Sequence, residues 1–235
     1  VNAHVQKINF NNKSVDIVSF FTGDKLNHIK VNKEAILSAG AIGSPHLLQI
    51  SGIGDGEKIK KHGIEVVHEL KGVGKNLQDH LMFRPVYKLK NIKSLNRDVE
   101  SLYSKFLMGL QYILKQSGPI TMGASQVCAF TKSDPSRATP NLQFHVQPLS
   151  TDILGVTPMH NFEGITPTVA NIRPTSRGEI NITTNDSRDN PKIKMNYLST
   201  EDDRIVAAKG LKLVRKIMLE TETFKKYQPE EYRPG

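Results

Sequence analysis

The chain of 235 residues has no tryptophan and a single cysteine. A lone thiol excludes an internal disulfide framework and any zinc site built on paired thiolates. Cys128 stands among Val127, Ala129 and Phe130, which predicts a buried, inert thiol. Long hydrophobic runs are missing too. The most apolar stretch, Phe106 to Leu114, is broken by Gly109 and Gln111, far short of the roughly 18 to 20 residues of a bilayer crossing. The opening residues, VNAHVQKINF, lack the basic-then-apolar layout of a secretory leader. Several catalytic signatures are also absent. There is no G-x-S-x-G elbow and no H-E-x-x-H. The eight histidines, at 4, 28, 46, 62, 68, 80, 145 and 160, include no pair at i, i+4, so no metal site is expected. Neither a G-x-x-x-x-G-K-[ST] loop nor a G-x-G-x-x-G after a strand occurs, which leaves both usual phosphate cradles incomplete.

What is present suits a folded protein. Hydrophobic residues make up 37% and charged residues 23%, enough core for one large domain or two modest ones. Lys and Arg number 32 against 23 Asp and Glu, a formal charge of +9 that attracts anionic ligands. The basic residues are nevertheless scattered. Lys58, Lys60 and Lys61, like Lys212, Arg215 and Lys216, recur at helical spacing opposite apolar residues, the pattern of a solvated helix face. No nucleic-acid partner is expected. A non-enzymatic module that binds polyanions through its basic surface stands as the alternative to an enzyme.

Along the chain, residues 1 to 37 read as strands joined by turns. Val15, Ile17, Ser19 and Phe21 share one face, Gly23-Asp24 signals a turn, and Ile29 and Val31 resume the alternation. Glu34 to Gly40 reads as a short strand that feeds a helix through a glycine turn, with Ser44 suited to the N-cap and Pro45 to the first helical position. A second short helix is predicted from an Asp55 cap to Gly63, and Val66, Val67 and Leu70 suggest another strand. Beyond Pro85 the texture changes. A long amphipathic helix over about Asp98 to Lys115 lines up Val99, Leu102, Tyr103, Phe106, Leu110 and Ile113, and Ser117-Gly118-Pro119 stops it. Strand-like runs at Gln126 to Phe130, Asn141 to Gln147, Thr168 to Ile172 and Glu179 to Thr183 read as one antiparallel sheet. Thr200 caps a last helix whose buried side carries Ala207, Leu211, Val214 and Met218, and the tail YQPEEYRPG shows no core-forming pattern.

Two segments carry chemistry. In SAGAIGSP, Gly40 and Gly43 allow close approach to a helix N-terminus, whose dipole and free N–H groups favour an anion such as a pyrophosphate. A plain strand-helix connection explains the same residues. Asn76-Leu77-Gln78-Asp79-His80 sets a carboxylate beside an imidazole in a glycine-containing loop, suited either to orienting a cofactor or to capping and solvation.

The block GAIGSPHLLQISGIG, Gly40 to Gly54, resembles the second signature of the glucose-methanol-choline family of FAD-dependent oxidoreductases. KEAILSAG before it, GVGKNLQDH after it, YILKQSGPIT, RPTSRGEINI and PKIKMNYLSTEDD resemble further family blocks in the family's order. The tone is closest to the insect glucose dehydrogenase-like members. Where the family often has Pro after S-G-I-G, this chain has Asp55 and Gly56.

The resemblance implies an α/β flavin-binding domain portion plus an α+β substrate domain with an antiparallel sheet. Residues 1 to 85 would belong to the FAD-binding domain, 86 to 195 to the substrate-binding domain, and 196 to 235 to a helix returning to the FAD-binding domain. FAD is the implied cofactor and an alcohol or sugar CH–OH group the implied hydride donor. The blocks name neither the alcohol nor the electron acceptor, oxygen or a quinone-like compound. Val5 matches a position whose backbone contacts the adenine end of FAD, and Ala39, Gly40 and Ala41 match the turn at its ADP half. Asn76, Asp79 and His80 match a loop on the domain's ligand side. The family's G-x-G-x-x-G and its catalytic His segment have no counterpart here, so no catalytic residue is assigned. The resemblance thus implies an internal piece of a longer enzyme that alone neither holds FAD tightly nor turns over. Sequons at Asn12, Asn181 and Asn185, with the insect-like tone, point to a secreted parent.

Overall fold

Alternating residues between His4 and Lys30 fold into an antiparallel meander of β1 (His4–Asn11), β2 (Ser14–Thr22) and β3 (Lys25–Lys30). The structure, a computed structural model, describes residues 2–99, 101–123 and 125–234. The chain continues through α1 (Gly40–Ile50), β4 (Ile53–Gly54), α2 (Gly56–Lys60), β5 (His68–Glu69), β6 (Met82–Phe83), β7 (Val86–Lys88), α3 (Leu95–Asp98) and α4 (Leu102–Lys115). Then come β8 (Val127–Thr131), β9 (Leu142–Gln147), β10 (Gly164–Asn171), β11 (Glu179–Asn181), β12 (Lys192–Lys194), α5 (Glu201–Arg215), α6 (Glu222–Lys225) and β13 (Glu230–Arg233). Two compact units result, one from Val1–Asp79 with Ser176–Ser199, the other from His80–Thr175 with Thr200–Gly235.

In the first unit the predicted hairpin is present, with Val18 opposite Ile29 and Gly23 at the turn. Asp55 caps α2 through the Lys58 N–H, as expected. The start of α1 differs from expectation: it begins at Gly40 rather than after Ser44, and Pro45 lies inside it. Ser44 instead accepts the Ala39 N–H at 3.1 Å. Pro45 thus removes an interior helix hydrogen bond rather than sitting harmlessly at the first position. The predicted strand at Glu34–Gly40 is also corrected. Among the described residues Glu34–Ala39 pairs with no strand, and Ile36 is 82% exposed, so its apolar character finds no sheet neighbour here.

The core of this unit gathers Ile50, Ile59, Ile64 and Ile182. Beside it sits Gln49 of α1, nearly fully buried. Its Nε2 donates to the Ile180 carbonyl and its Oε1 accepts the Ile182 N–H, both at 2.9 Å. The side-chain amide thereby stands in for a missing strand along β11. Gly74 continues the same edge. Its carbonyl accepts the Ile180 N–H at 2.7 Å, and with φ of 78° a Cβ there would collide with the Ile180 oxygen. Only glycine fits both the left-handed backbone and that approach.

The second unit holds a six-stranded antiparallel sheet, ordered β13-β7-β10-β9-β8 with β6 also on β10. Three of the four strand runs expected in one sheet are here, in β8, β9 and β10. The fourth, β11, pairs instead with β12 in the first unit, because Ile180 faces the core of that unit and Gln49 satisfies its backbone. The tail is corrected as well, since Glu230–Arg233 adds β13 to the edge of β7. Cys128 is exposed rather than buried, because β8 is the edge strand and its face is uncovered. Of the long predicted helix, Glu100 lies outside the described residues. The remainder splits into α3 and α4, and the α4 stripe is solvent-facing, with Leu102 82% and Phe106 66% exposed.

Thr200 caps α5 through the Asp203 N–H, as the sequence suggests, but the helix does not return to the first unit. Val206, Val214 and Met218 pack with Tyr87, Leu142, Phe144 and Val169 on the six-stranded sheet. Burial of each such side chain contributes roughly 1.5–3 kcal/mol, which outweighs any surface contact of the helix elsewhere. Asp203, itself buried, accepts the Thr175 N–H at 2.8 Å and the Asn171 amide at 3.2 Å, tying the helix start to the end of β10. The fold class is thus as expected, an α/β portion and an α+β portion with an antiparallel sheet, while the boundaries fall elsewhere.

Replacing Gln49 with Ala leaves a buried N–H and a buried carbonyl without partners, and each such orphan costs about 1–3 kcal/mol. Urea unfolding of the Gln49→Ala variant is therefore expected to show a loss of about 2–5 kcal/mol. A loss below about 1 kcal/mol would show that the amide does not hold β11 in place.

Candidate functional site

The approach to α1 is shaped by backbone conformation. Gly40 has φ of 77°, a left-handed setting that costs a side-chain-bearing residue roughly 1–2 kcal/mol. It turns the chain into α1, whose first turn carries no acidic residue and no side-chain cap. The N–H groups of Gly40, Ala41 and Ile42 therefore have no partner within the helix and carry the positive end of its dipole.

Beside that turn lies a cavity of about 420 Å³. Ala3, His4 and Val5 form one wall, the segment Ile36 to Ala39 another, and Gly43, His46 and Leu47 of α1 a third. Ser187, from the connection between β11 and β12, completes the lining. No carboxylate lines it. Burial, with the nearby His4 charge second, lowers the pKa of His46, which favours its neutral imidazole. The Ser187 wall is strapped to β1. His4 Nε2 lies 3.0 Å from the Ser187 hydroxyl, Gln6 Oε1 accepts the Ser187 N–H at 3.1 Å, and Gln6 Nε2 donates to the Asn185 carbonyl at 3.0 Å. An apolar cleft with an uncapped helix N-terminus and no negative charge is chemically suited to an anionic group carried on an organic ligand.

The other predicted cluster is elsewhere. Asn76, at φ of 61°, accepts from Arg177 Nε at 2.8 Å, and Leu77 and Gly178 exchange backbone hydrogen bonds at 3.1 and 2.8 Å. Asp79 accepts the Tyr197 hydroxyl. These bonds fasten the Lys71–Asp79 loop to the chain at 177–178 and 197. His80 is exposed and opens the second unit. The structure therefore brings Val5 and Ala39 to one cavity, with Gly40 and Ala41 opening the helix beside it, and leaves Asn76, Asp79 and His80 outside its lining. His4, His46 and Ser187 were not singled out from the sequence. His46 follows Ser-Pro on the face of α1 next to Gly43, a signal that helical spacing offered. The pairing of His4 with Ser187 spans 183 positions and leaves no local trace.

The Asp79 bond, with burial second, pushes the Tyr197 hydroxyl up to about 12. Tyr87, fully buried in the second unit, is also pushed up to about 12, chiefly by burial. An unfolded tyrosine ionises near roughly 10, so the native state holds more protons above that pH. The stabilising contribution is complete below about pH 10 and disappears as pH rises through the native values. Ultraviolet titration is expected to show both tyrosines ionising late. Asp79→Asn should bring one of them back toward roughly 10 and leave the other; no change in either would show that the Tyr197–Asp79 bond does not form in solution.

Two models of one family match the chain, an N-terminal one over residues 1–82 and a C-terminal one over residues 174–234, both described as GMC oxidoreductase. The oxygen-dependent choline dehydrogenase of Photobacterium profundum is 36% identical over 230 residues, 98% of this chain and 40% of that protein. An alcohol dehydrogenase (acceptor) of Pseudomonas putida is 34% identical over 236 residues, 99% of this chain and 42% of its own length. The chain thus spans about 40% of the curated relatives that it matches. Among solved structures, a formate oxidase superposes with a TM-score of 0.87 at 22% identity, over 97% of this chain and 44% of that one, a likeness of fold. The two family models match the chain in N-to-C order and together cover more than half of it, and the chain belongs to the GMC oxidoreductase family.

Proposed function

We propose that this chain is part of an FAD-dependent oxidoreductase that acts on the CH–OH group of an alcohol or sugar, and that its cofactor-facing site is the cavity beside α1. The observation that carries the reading is the uncapped, acid-free first turn of α1 opening on an apolar cavity, within the residues that the N-terminal family model matches. That donor set fits the ADP half of FAD. The N–H groups of Gly40, Ala41 and Ile42 would hold a phosphate, Ala39 sets their direction, and the backbone at Val5 would meet the adenine end. His46, kept neutral by burial, lines the cleft without a fixed charge. When bound, the flavin supplies the hydride acceptor, and the protein supplies orientation and water exclusion. On this reading the first unit is the FAD-binding portion and the second belongs to the substrate domain. No residue described here is assigned as the base.

Choline and alcohol in the names of the relatives support a small hydroxyl compound as substrate. The insect glucose dehydrogenase-like tone of the sequence blocks supports a sugar hydroxyl within that class. Family membership favours the oxidoreductase over a polyanion-binding module.

A leucine at position 43 tests the cofactor site, because a Cβ there would lie 3.0 Å from Ala39 and the remaining side chain would occupy the cleft. Full-length protein with Gly43→Leu is expected to retain at least tenfold less flavin than the parent after gel filtration, read from the ratio of visible to ultraviolet absorbance, with an unchanged circular dichroism spectrum. Stoichiometric flavin in that variant would place the cofactor elsewhere.

A secreted parent is part of the same proposal. Asn12 sits on the exposed turn between β1 and β2, at φ of 54°, whereas the Asn181 amide accepts from Lys58 Nζ at 2.8 Å and is partly buried. Mass spectrometry of the secreted protein is expected to find a glycan at Asn12 and none at Asn181. An unmodified Asn12 in a secreted sample would remove this support.

A further inference from the structure

Two periodicities converge on a second cavity of the first unit. On α2 and its C-terminal turn, Lys58, Lys61 and His62 stand at i, i+3 and i+4, which places them on one helix face. On β12, Lys192 and Lys194 stand at i and i+2, which places them on one face of the strand. Their partners across the ladder, Asn181 and Glu179, share that face. Together these side chains enclose an open cavity of about 300 Å³, floored by Gln49 and Ile182.

The charge in it is unbalanced. Glu179 is the one carboxylate of the lining, and two ammonium groups already engage it, Lys58 at 3.4 Å and Lys75 in a shorter contact. Lys58 is further fixed by the Asn181 amide oxygen at 2.8 Å. These ammonium groups hold the Glu179 carboxyl down at about 2, so it stays ionised. Lys61, Lys192 and Lys194 have no ion-pair partner among the described residues. Four lysines therefore face one neutralised carboxylate across a small concave surface. Facing cations repel one another, and a concave cluster of them concentrates multivalent anions. An ammonium is a point charge with three donors, which suits phosphate oxygens approached from several directions better than a single planar carboxylate.

We propose that this cavity is a binding site for a phosphate-bearing anion of two or more charges, held by Lys61, Lys192 and Lys194 with Lys58 and His62 at its edge. The site is separate in its residues from the cavity beside α1 and does not depend on the flavin reading.

Calorimetric titration of the full-length protein with inorganic pyrophosphate, in the presence of saturating FAD, tests it. Saturable binding at one site per chain is expected, weakened at least tenfold by the double variant Lys192→Gln/Lys194→Gln. The same change at Lys212 and Lys216, exposed on the other unit, should alter affinity less than twofold. Glu179→Gln, which removes the competing carboxylate, should tighten binding severalfold, an effect that a merely structural role of these residues would not produce. A parallel titration with ADP separates the sources of the phosphate: markedly tighter binding assigns a nucleotide, and equal binding assigns free pyrophosphate. Heat without saturation, or equal losses from the two double variants, would reduce the effect to general charge attraction and overturn the proposal.

Discussion

Gln49 uses both ends of a buried amide on the backbone of a strand more than 130 residues further along, and much of the first unit follows from that pairing. A β-strand exposes its N–H and carbonyl groups on each side and must find partners for them when buried. β12 satisfies one side of β11, and on the other the helix supplies a single residue whose side chain has the donor and acceptor of a peptide. Gly74 then reaches the same strand from a loop, at a separation that no side chain tolerates. Because α1 is held by this contact, its N-terminal turn is held too, and with it the cavity that opens beside Gly40. The basic cavity rests on the same contact, since its floor is Gln49 and its far wall is the β11–β12 pair.

Local chemistry made much of this legible in advance. The meander showed in its period of two, the Asp55 and Thr200 caps in single residues, and the buried side of α5 in its apolar spacing. The misreadings came from one source, the assumption that a pattern is used where it stands. Ser44-Pro45 carries the chemistry of a helix start, yet Gly40 in a left-handed setting starts the helix earlier and draws both residues inside. Glu34–Ala39 is apolar like a strand but pairs with no strand among the described residues. The Glu230–Arg233 segment has little apolar character, because a two-sided edge strand needs backbone partners more than buried side chains.

For the proposed cofactor-facing site, the family blocks pointed to the turn at Gly40, and the structure added the walls around it. Val5 and Ala39 converge because β1 and the entry to α1 are neighbours. His46 and Ser187 complete the lining through spatial closure that no spacing in the sequence encodes. Asn76 and Asp79 lie in a block of equal familial character, but their side chains engage Arg177 and Tyr197, so here their visible work is to fasten a loop.

The strap between His4, Gln6 and Ser187 has a consequence for synthesis. Of the elements described, β1 is made before the others, yet the residues that complete the wall beside it are separated from it by 183 positions, with most of the second unit in between. The meander can form early, because its contacts are local. Gln49 and the cleft must wait for β11 and the Ser187 connection, a closure over a very long loop that pays its entropy before any contact rewards it. A nascent chain stalled before residue 187 would therefore display a formed meander and a cleft without its Ser187 wall, so closure of the cavity beside α1 comes late in translation.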